Sequence, residues 1–164
     1  MGKPSITDSI AQLLEDDRTC FDIRFFSNTL GTILTEDPIC IDEDSTLMDV
    51  TNLLKKGRTG CVIVVNKNEQ ISGIFSERDM VLKVIGEVSD FSKAHVKDYM
   101  TKNPICATPL TTIAHGLSIM SEGGFRHIPV VDDSKMPVGI VSVKDFVDLI
   151  VEKIVNASID SLDL

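Results

Sequence analysis

The chain has 164 residues and a net charge of −9, and 43% of its residues are hydrophobic although only 5% are aromatic. The hydrophobic fraction excludes a chain that is mainly disordered. The acidic balance disfavours a nucleic-acid partner, because proteins that bind nucleic acids usually present a basic surface. An anionic small ligand would need locally placed Arg or Lys side chains against this charge.

The first residues show no sign of export or of a lipid anchor. The stretch MGKPSITDSIAQLLEDD lacks the basic-then-apolar order of a signal peptide, and Ile6 stands where myristoylation needs Ser or Thr. The chain lacks the run of about 18 apolar residues that a membrane span requires. Its cysteines at positions 20, 40, 61 and 106 form no CxxC pair and have no His grouped near them. We therefore expect a cytoplasmic protein with reduced thiols, no metal site and no membrane partner.

Two further segments flank the region in which the strands are predicted. Residues 1–34 form an N-terminal segment and lead-in, and apolar residues at helical spacing predict a helix there that packs on the rest of the chain or on a partner. The residues of this pattern are Ile6, Ile10, Leu13 and Leu14. Residues 153–164 form a helix end and a tail. The apolar spacing in FVDLIVEKIVNASID continues beyond what one unit needs, so this extension is expected to cover the module or to mediate a dimer.

Residues 35–86 contain a complete helix–strand–strand–helix pattern. Ser45 or Thr46 begins the first helix, in LMDVTNLLKK. The strands CVIVV and ISGIF follow, separated by the polar turn NKNEQ. Ser76 is the predicted N-cap of the second helix.

After a linker of residues 87–100, the same pattern returns in residues 101–152. Thr111 or Thr112 begins the helix, HIPVV and PVGIV are the strands, and Ser142 caps the last helix. Gly57 and Gly123 are expected to end the first helix of each unit with a positive φ.

The two patterns are copies of one unit. Residues 35–84 align on residues 101–150 without a gap, so that TEDPIC falls on TKNPIC and GIFSERD falls on GIVSVKD, 66 residues later. A unit of about 50 residues buries too little surface to be stable alone. We therefore predict an α/β (α+β) fold, in which two units, each with a small sheet and flanking helices, pack with pseudo-twofold symmetry.

The repeated Gly-apolar-apolar-Ser-x-x-Asp motif has two interpretations. A Ser at a helix N-terminus offers a hydroxyl beside unpaired backbone N–H groups, and an Asp one turn later can accept both hydroxyls of a ribose. The same spacing also describes a capping box, in which the acid only satisfies backbone donors. The glycine of each motif is expected to keep side-chain bulk away from a ligand. The residues concerned are Gly73, Ser76 and Asp79 in the first copy and Gly139, Ser142 and Asp145 in the second.

The segment FRHIP, at positions 125–129, supplies further binding chemistry in the second unit. Arg126 suits phosphate because its planar fork makes paired charge-assisted hydrogen bonds. His127 is either a donor whose charge changes near neutral pH or a strand residue turned to solvent. The first unit has RTGCVI in this region, without His or Pro, and Arg58 lies two positions earlier than Arg126 on the offset.

These residues together resemble a tandem pair of CBS domains, named for cystathionine β-synthase. The resemblance rests on GFRHIPVVD with GIVSVKD and on TGCVIVVN with GIFSERD, and it covers Thr35 to about Glu152. It is strongest to small stand-alone bacterial and organellar proteins of this kind. It implies a regulatory module with two clefts for adenosine ligands: AMP, ADP or ATP, with NAD or S-adenosylmethionine as alternatives. It also implies a homodimer, parallel or antiparallel, that regulates a partner protein.

The resemblance assigns roles to further positions. The segment around Ile128 and Pro129 lines the adenine pocket, and Thr108 contacts adenosine more plausibly than the matching Asp42. Arg78 and Lys144 either reach phosphates across the pseudo-twofold axis or are solvated helix residues. The predicted ligand-binding residues are Ser76, Arg78, Asp79, Thr108, Arg126, His127, Ile128, Pro129, Ser142, Lys144 and Asp145. We expect the corner GIVSVKD, with FRHIP beside it, to bind nucleotide first.

The residues favour no enzyme. His95, His115 and His127 are scattered, and no Ser or Cys stands in a nucleophile motif. The chain has neither a GxGxxG nor a P-loop pattern. The alternative to a nucleotide sensor is therefore an adaptor with unoccupied pockets that makes only protein contacts.

Overall fold

A computed structural model describes residues 23–34, 37–57 and 59–160, with side chains for all of these except 23, 24 and 157–160. The helical pattern predicted at Ile6, Ile10, Leu13 and Leu14 lies outside the described residues, as does Arg58. The described chain begins with helix α1 (Ile23–Ser27) and a 3₁₀ turn (Leu30–Thr32).

The first unit follows the predicted helix–strand–strand–helix order, preceded by a short opening strand. Its last helix starts as a single α-turn and continues as a π-helix. The elements are β1 (Cys40–Asp42), α2 (Leu47–Gly57), β2 (Cys61–Val65), β3 (Ile71–Ser76), α3 (Glu77–Asp79) and the π-helix (Met80–Val84).

The second unit repeats this order but ends in a long regular helix. A 3₁₀ turn (Val96–Asp98) precedes it. The elements are β4 (Thr101–Lys102), α4 (Ile113–Gly123), β5 (His127–Val131), β6 (Pro137–Ser142) and α5 (Val143–Asp160). None of the helices in the described part of the chain is long and apolar enough to cross a membrane.

The strands form a four-stranded sheet, β1-β2-β3-β4, and a two-stranded sheet, β5-β6. In the first sheet β1 runs parallel to β2, and the β2–β3 and β3–β4 pairs are antiparallel. Strand β4 belongs to the opening of the second unit in sequence, but it pairs with β3 of the first unit. The α/β (α+β) prediction of two similar units is confirmed.

The helix starts are capped as the repeat predicts, by one of the two alternatives in each unit. Thr46, and not Ser45, forms a capping box with Asp49 at α2, and Thr112 accepts a hydrogen bond from the backbone N–H of His115 at α4. The predicted C-caps are wrong in detail. Gly57 and Gly123 are the last helical residues without a positive φ, and Gly124 takes the left-handed conformation with φ of 65°.

Each hydrophobic core includes the segment that precedes the other unit in sequence. The first core, around Leu47, Val62 and Phe75, includes Val96 and Met100, which precede the second unit. The second core, around Ile113, Ile128 and Phe146, includes Leu30, with Leu34 packed against it, and both precede the first unit. Leu30 and Leu34 stand 66 positions before Val96 and Met100. The repeat therefore extends further upstream than Thr35, and each copy contributes its lead-in segment to the other core.

This exchange explains the repeated glycines. A Cβ on Gly73 would lie 2.3 Å from Sδ of Met100, and a Cβ on Gly139 would lie 2.5 Å from Cδ2 of Leu34. Both contacts are too short for any other residue unless the neighbour moves. The expectation that these glycines keep bulk away from a ligand is wrong: they make room for the lead-in segment of the other copy.

Candidate functional site

Two clefts lie between the units, and each takes its parts from both. Cleft A, of about 850 Å³, combines Ser142 and Asp145 of the second unit with Asp37, Ile39, Gly57 and residues 59–61 of the first. Cleft B, of about 420 Å³, combines Ser76 and Asp79 of the first unit with Thr101 and residues 103–105 and 123–127 of the second. Segments 66 residues apart occupy equivalent places, so the clefts are related by the pseudo-symmetry of the repeat.

The side chains of the FRHIP segment are divided between the two clefts. Phe125 lines cleft B, beside Asp79, and not cleft A. Arg126 and His127 line both clefts. FRHIP does lie beside GIVSVKD, because His127, Ile128 and Pro129 of β5 pair with Ser142, Val141 and Ile140 of β6. Of this segment, however, only Arg126 and His127 line cleft A.

Both Ser-x-x-Asp motifs form capping boxes. In the second unit Oδ2 of Asp145 accepts hydrogen bonds from the backbone N–H of Ser142 at 2.6 Å and from its hydroxyl at 2.8 Å. In the first unit Oδ2 of Asp79 accepts the same two from Ser76, at 2.9 and 2.7 Å. Each Asp backbone N–H donates in return to the Ser hydroxyl at 3.3 Å. The capping interpretation accounts for one oxygen of each carboxylate, and the second oxygen remains to be explained.

The second oxygen of Asp79 is also engaged. Oδ1 of Asp79 lies 2.6 Å from Nζ of Lys83 and accepts a hydrogen bond from the Thr101 hydroxyl at 3.2 Å. Nζ of Lys83 also donates to the Thr101 hydroxyl at 3.2 Å. Burial would raise the pKa of Asp79, but the hydrogen bonds from Lys83 and Ser76 outweigh it and hold the pKa below its ordinary value of 3.8. Since a carboxylate has about four lone-pair sites, four donors saturate this one.

The second oxygen of Asp145 accepts no hydrogen bond from any residue that the structure describes. The carboxylate is half-buried and lines cleft A. Position 149, one turn after Asp145, holds Leu149 where the first unit has Lys83. Asp145 is therefore fixed in orientation by its cap and still has about two free acceptor sites.

Arg126 and His127 are the two side chains that both clefts share. Burial and the neighbouring Arg126 lower the pKa of His127 below 6.5, although Asp145 and Glu77 act in the opposite direction. His127 is consequently neutral near pH 7. Gly60 lets the His127 ring approach, because a Cβ there would lie 3.2 Å from ring atoms Cε1 and Nε2.

The clefts differ in charge because matched positions carry different residues. Cleft A is lined by four carboxylates and two cations: Asp37, Glu77, Asp145, Asp148, Arg126 and Lys144. Cleft B is lined by one carboxylate and two cations: Asp79, Arg78 and Arg126. On the offset of 66, Asn103 and Leu82 of cleft B replace Asp37 and Asp148 of cleft A. Cleft B thus suits anionic groups better, whereas cleft A holds the free carboxylate.

The clefts also differ in size for a local reason. At the positions where cleft B has Phe125 and Arg126, cleft A has Thr59 and Gly60. The smaller side chains leave cleft A with about twice the volume of cleft B.

The cationic side chains at the starts of α3 and α5, Arg78 and Lys144, have different partners. Nη1 of Arg78 donates to the carbonyl oxygen of Gly124 at 3.3 Å, which connects the first unit to the second. Lys144 pairs with Asp148, one turn along the same helix. Arg78 lines cleft B and Lys144 lines cleft A.

Three of the predicted ligand-binding residues lie outside both clefts. Ile128 is fully buried in the second core and Pro129 is buried beside it in β5. Thr108 is exposed, and its backbone N–H donates to the hydroxyl of Thr111. The residues around TEDPIC and TKNPIC were missed, although the strict repeat of Pro and Ile there is a usable signal. Those that line the clefts are Asp37, Ile39, Thr101, Asn103, Pro104 and Ile105.

The described residues contain no group of three or more metal-ligating side chains that could hold a metal ion. Cys61 lines cleft A, but burial, together with Glu77 and Asp79, raises its thiol pKa to about 12. A thiol with this pKa stays protonated at neutral pH and is a poor nucleophile.

The CBS-domain family model matches residues 30–86 and 96–152. A relative in Arabidopsis thaliana, the mitochondrial CBS domain-containing protein CBSX3, is 32% identical over 114 residues, which are 67% of this chain and 55% of that protein. The chain spans between 22% and 63% of the length of the first three related proteins.

Two solved structures are similar in fold. One is the CBS domain pair of protein MJ0100 in complex with 5′-methylthioadenosine and S-adenosyl-L-methionine, with 26% identity, a TM-score of 0.69, and coverage of 76% of this chain and 97% of that one. The other is the CBS domain protein PAE2072 from Pyrobaculum aerophilum complexed with AMP, with 22% identity, a TM-score of 0.66, and coverage of 71% and 88%. With both repeats matched and the crosswise clefts in place, this chain belongs to the CBS-domain family as a tandem pair.

Proposed function

We propose that this CBS pair is a regulatory module that binds an adenine nucleotide in cleft A and modulates a partner protein. The observation that carries the proposal is the half-buried carboxylate of Asp145, which its cap holds in place and whose Oδ1 has no donor among the described residues. Two adjacent hydroxyls of a ribose would fill the free acceptor sites of Oδ1 with charge-assisted hydrogen bonds. The similarity to a CBS pair that binds two adenosine compounds supports the same assignment.

Other side chains of cleft A can bind the phosphate and the purine of the ligand. Arg126 and neutral His127 can donate to a phosphate, and Lys144 is within the same cleft. Ile39 and Ile140 offer apolar surface for a purine. Since four carboxylates line this cleft, we expect each additional phosphate to weaken binding, so that AMP binds more tightly than ADP and ATP.

The same charge favours a second candidate ligand class. S-adenosylmethionine carries a positive sulfonium, and 5′-methylthioadenosine is uncharged, so neither is repelled by Asp37 and Glu77. Both compounds are bound by the MJ0100 domain pair. NAD, which carries two phosphates, is disfavoured in cleft A by the argument that disfavours ADP.

Ligand binding would act as a signal because cleft A is formed by both units. A ligand that bridges Asp145 of the second unit and residues 59–61 of the first stabilises one relative arrangement of the two. It can shift the equilibrium only by its differential affinity for the two arrangements. A partner protein would read this difference, without catalysis by the module. The cytoplasmic location stays a prediction.

We further propose that the module forms a homodimer through the helices that follow the two motifs. The exposed residues Val81 and Ile85 of the first unit match Val147 and Val151 of α5 on the offset of 66. Apolar side chains at matched positions form a surface that a second copy can bury across a twofold axis. Val147 also lines cleft A, so a ligand there would contact the proposed interface. Substitution of Val147 by Lys should convert a dimer to a monomer in light scattering, whereas a wild-type monomer would contradict this proposal.

A thermal-shift panel tests the function. The protein is heated with AMP, ADP, ATP, NAD, S-adenosylmethionine and 5′-methylthioadenosine, with GTP as the control. A ligand at a hundredfold excess over its dissociation constant should stabilise the fold by about 2.7 kcal/mol, or roughly 5 to 10 °C.

The variant Asp145→Asn should lose the shift and remain folded, and Asp133→Asn, at an exposed turn residue, is its matched control. A shift that survives Asp145→Asn would show that the ribose assignment is wrong. If no adenosine compound shifts the wild type, the module is instead an adaptor without ligand. Turnover of any nucleotide over hours would contradict a purely regulatory role.

A further inference from the structure

We infer that Lys83 keeps cleft B closed to ribose by occupying the carboxylate that would bind it, and that the wild-type chain therefore binds one nucleotide rather than two. This inference rests on the proposed function, since it assumes that the free oxygen of the equivalent Asp145 binds ribose.

The contacts around Asp79 carry the argument. Its Oδ2 holds the cap of Ser76, as in the second unit, and its Oδ1 is taken by Lys83 at 2.6 Å and by Thr101 at 3.2 Å. Asp79 is 9% exposed, so an incoming ribose hydroxyl cannot simply add to this carboxylate and must displace one of the donors. Displacement would break an ion pair and leave the Lys83 ammonium without its partner.

The second unit shows the arrangement without this contact. Leu149 stands at the position equivalent to Lys83, and Asp145 keeps two free acceptor sites. The rest of cleft B is suited to an adenine nucleotide, with Arg78 and Arg126 as cations and Phe125 and Ile105 as apolar walls. The site thus has favourable charge and apolar surface, and the ribose acceptor is the part that the chain itself occupies.

The position of Lys83 also gives the contact a structural consequence. Lys83 lies in the π-helix Met80–Val84, next to the exposed Leu82 and near Val81 and Ile85. A ligand that displaced Lys83 would release its anchor to Asp79 and Thr101, and so would act on the segment that carries the exposed apolar residues of the first unit.

Titration calorimetry with AMP tests the inference through its stoichiometry. The wild type should bind one AMP per chain. Lys83→Leu, which introduces the residue of the second copy, should bind two, with cleft B gaining at least tenfold in affinity. The double variant Lys83→Leu/Asp145→Asn should bind one AMP in cleft B and should bind 2′-deoxy-AMP at least tenfold more weakly. Lys93→Leu is the matched control, because Lys93 pairs with Asp90 on the surface away from both clefts.

The outcomes separate this inference from the proposed function. One AMP per chain in the wild type and still one in Lys83→Leu would overturn the role of Lys83 and leave cleft A intact. Two AMP per chain in the wild type, one of them lost in Asp79→Asn, would also overturn it. If the wild type binds none and Lys83→Leu binds one, the assignment to cleft A fails and the role of Lys83 holds. If neither binds AMP, both fail. Circular dichroism checks that each variant is folded. Lys83→Ala is a second test of the same contact, since Ala removes the ammonium without adding a branched side chain.

Discussion

The two clefts are built from the same three segments of a gapless repeat, yet they present nearly opposite chemistry. Cleft A has a free carboxylate oxygen, four acidic side chains against one in cleft B, and a wide interior. Cleft B has a saturated carboxylate, two arginines and a narrower interior with Phe125. Duplication preserved the capping boxes that set the backbone, and the substitutions lie in the side chains that point between the units. The positions at which the copies differ are therefore the most informative about ligands.

Both clefts depend on the crosswise exchange of segments, and Leu30→Ala should disturb that exchange most. Leu30 has no exposed surface and lies in the second core, although it precedes the first unit in sequence. Truncation of a buried Leu to Ala costs about 2–5 kcal/mol. We expect a loss of this size in urea unfolding, together with weaker ligand binding in cleft A, because the two units would separate more easily.

Leu110→Ala is the control for this prediction, since Leu110 is 81% exposed in the turn before α4. It should change the free energy of unfolding by less than about 0.5 kcal/mol. An equally small effect of Leu30→Ala would show that the lead-in segment does not stabilise the second unit.

The next largest effect should be a difference in unfolding free energy between variants of Asp79 and Asp145, measured without ligand. Asp79→Asn removes the charge opposite Lys83 and weakens four hydrogen bonds, so it should cost about 2 kcal/mol of unfolding free energy. Asp145→Asn weakens only a helix cap and should cost less than about 1 kcal/mol. The pKa of Asp79 lies below 3.8, so its contribution is present at neutral pH and is lost as the pH falls through the depressed value. Equal losses for the two variants would mean that the contact with Lys83 contributes nothing.

The sequence alone predicted the repeat, the helix starts and the identities of Ser76, Asp79, Ser142 and Asp145, because caps and strand periodicity are local properties. It did not predict which segments meet across the clefts. Phe125 was assigned to the wrong cleft because the contact crosses from one unit to the other.

The sequence did not predict that both oxygens of Asp79 accept hydrogen bonds, for a related reason. The spacing of Asp79 and Lys83 permits an ion pair on any helix, but its meaning depends on Thr101, which approaches from the second unit. Ile128 was misplaced because the family motif extends into β5, where the Ile128 side chain packs in the second core, and Pro129 is buried in the same strand.

The charge difference between the clefts can be reduced by a single substitution. Glu77 lines cleft A but not cleft B, so Glu77→Gln should increase the affinity of cleft A for AMP about two- to fivefold at low salt. It should leave the affinity for uncharged 5′-methylthioadenosine unchanged. Glu87→Gln, an exposed residue outside both clefts, is the control in calorimetry. If both ligands respond equally to Glu77→Gln, the effect is steric and the acidic character of cleft A does not select the ligand.

The smallest effect concerns His127, which both clefts share. Its pKa is lowered by burial and by Arg126 and is raised in part by Asp145 and Glu77, with a net position below 6.5. The unfolded chain therefore takes up a proton before the folded one does, and the free energy of unfolding falls as the pH drops from about 6.5 through the lowered value. His127→Asn should remove this dependence, so that the wild type loses more stability than the variant between pH 7.5 and 5.5. His115, which is exposed in α4, gives the matched variant His115→Asn. If His127→Asn follows the wild type, the imidazole between the clefts is no more difficult to protonate than a solvated one, and it can donate to an anion from either side as a cation.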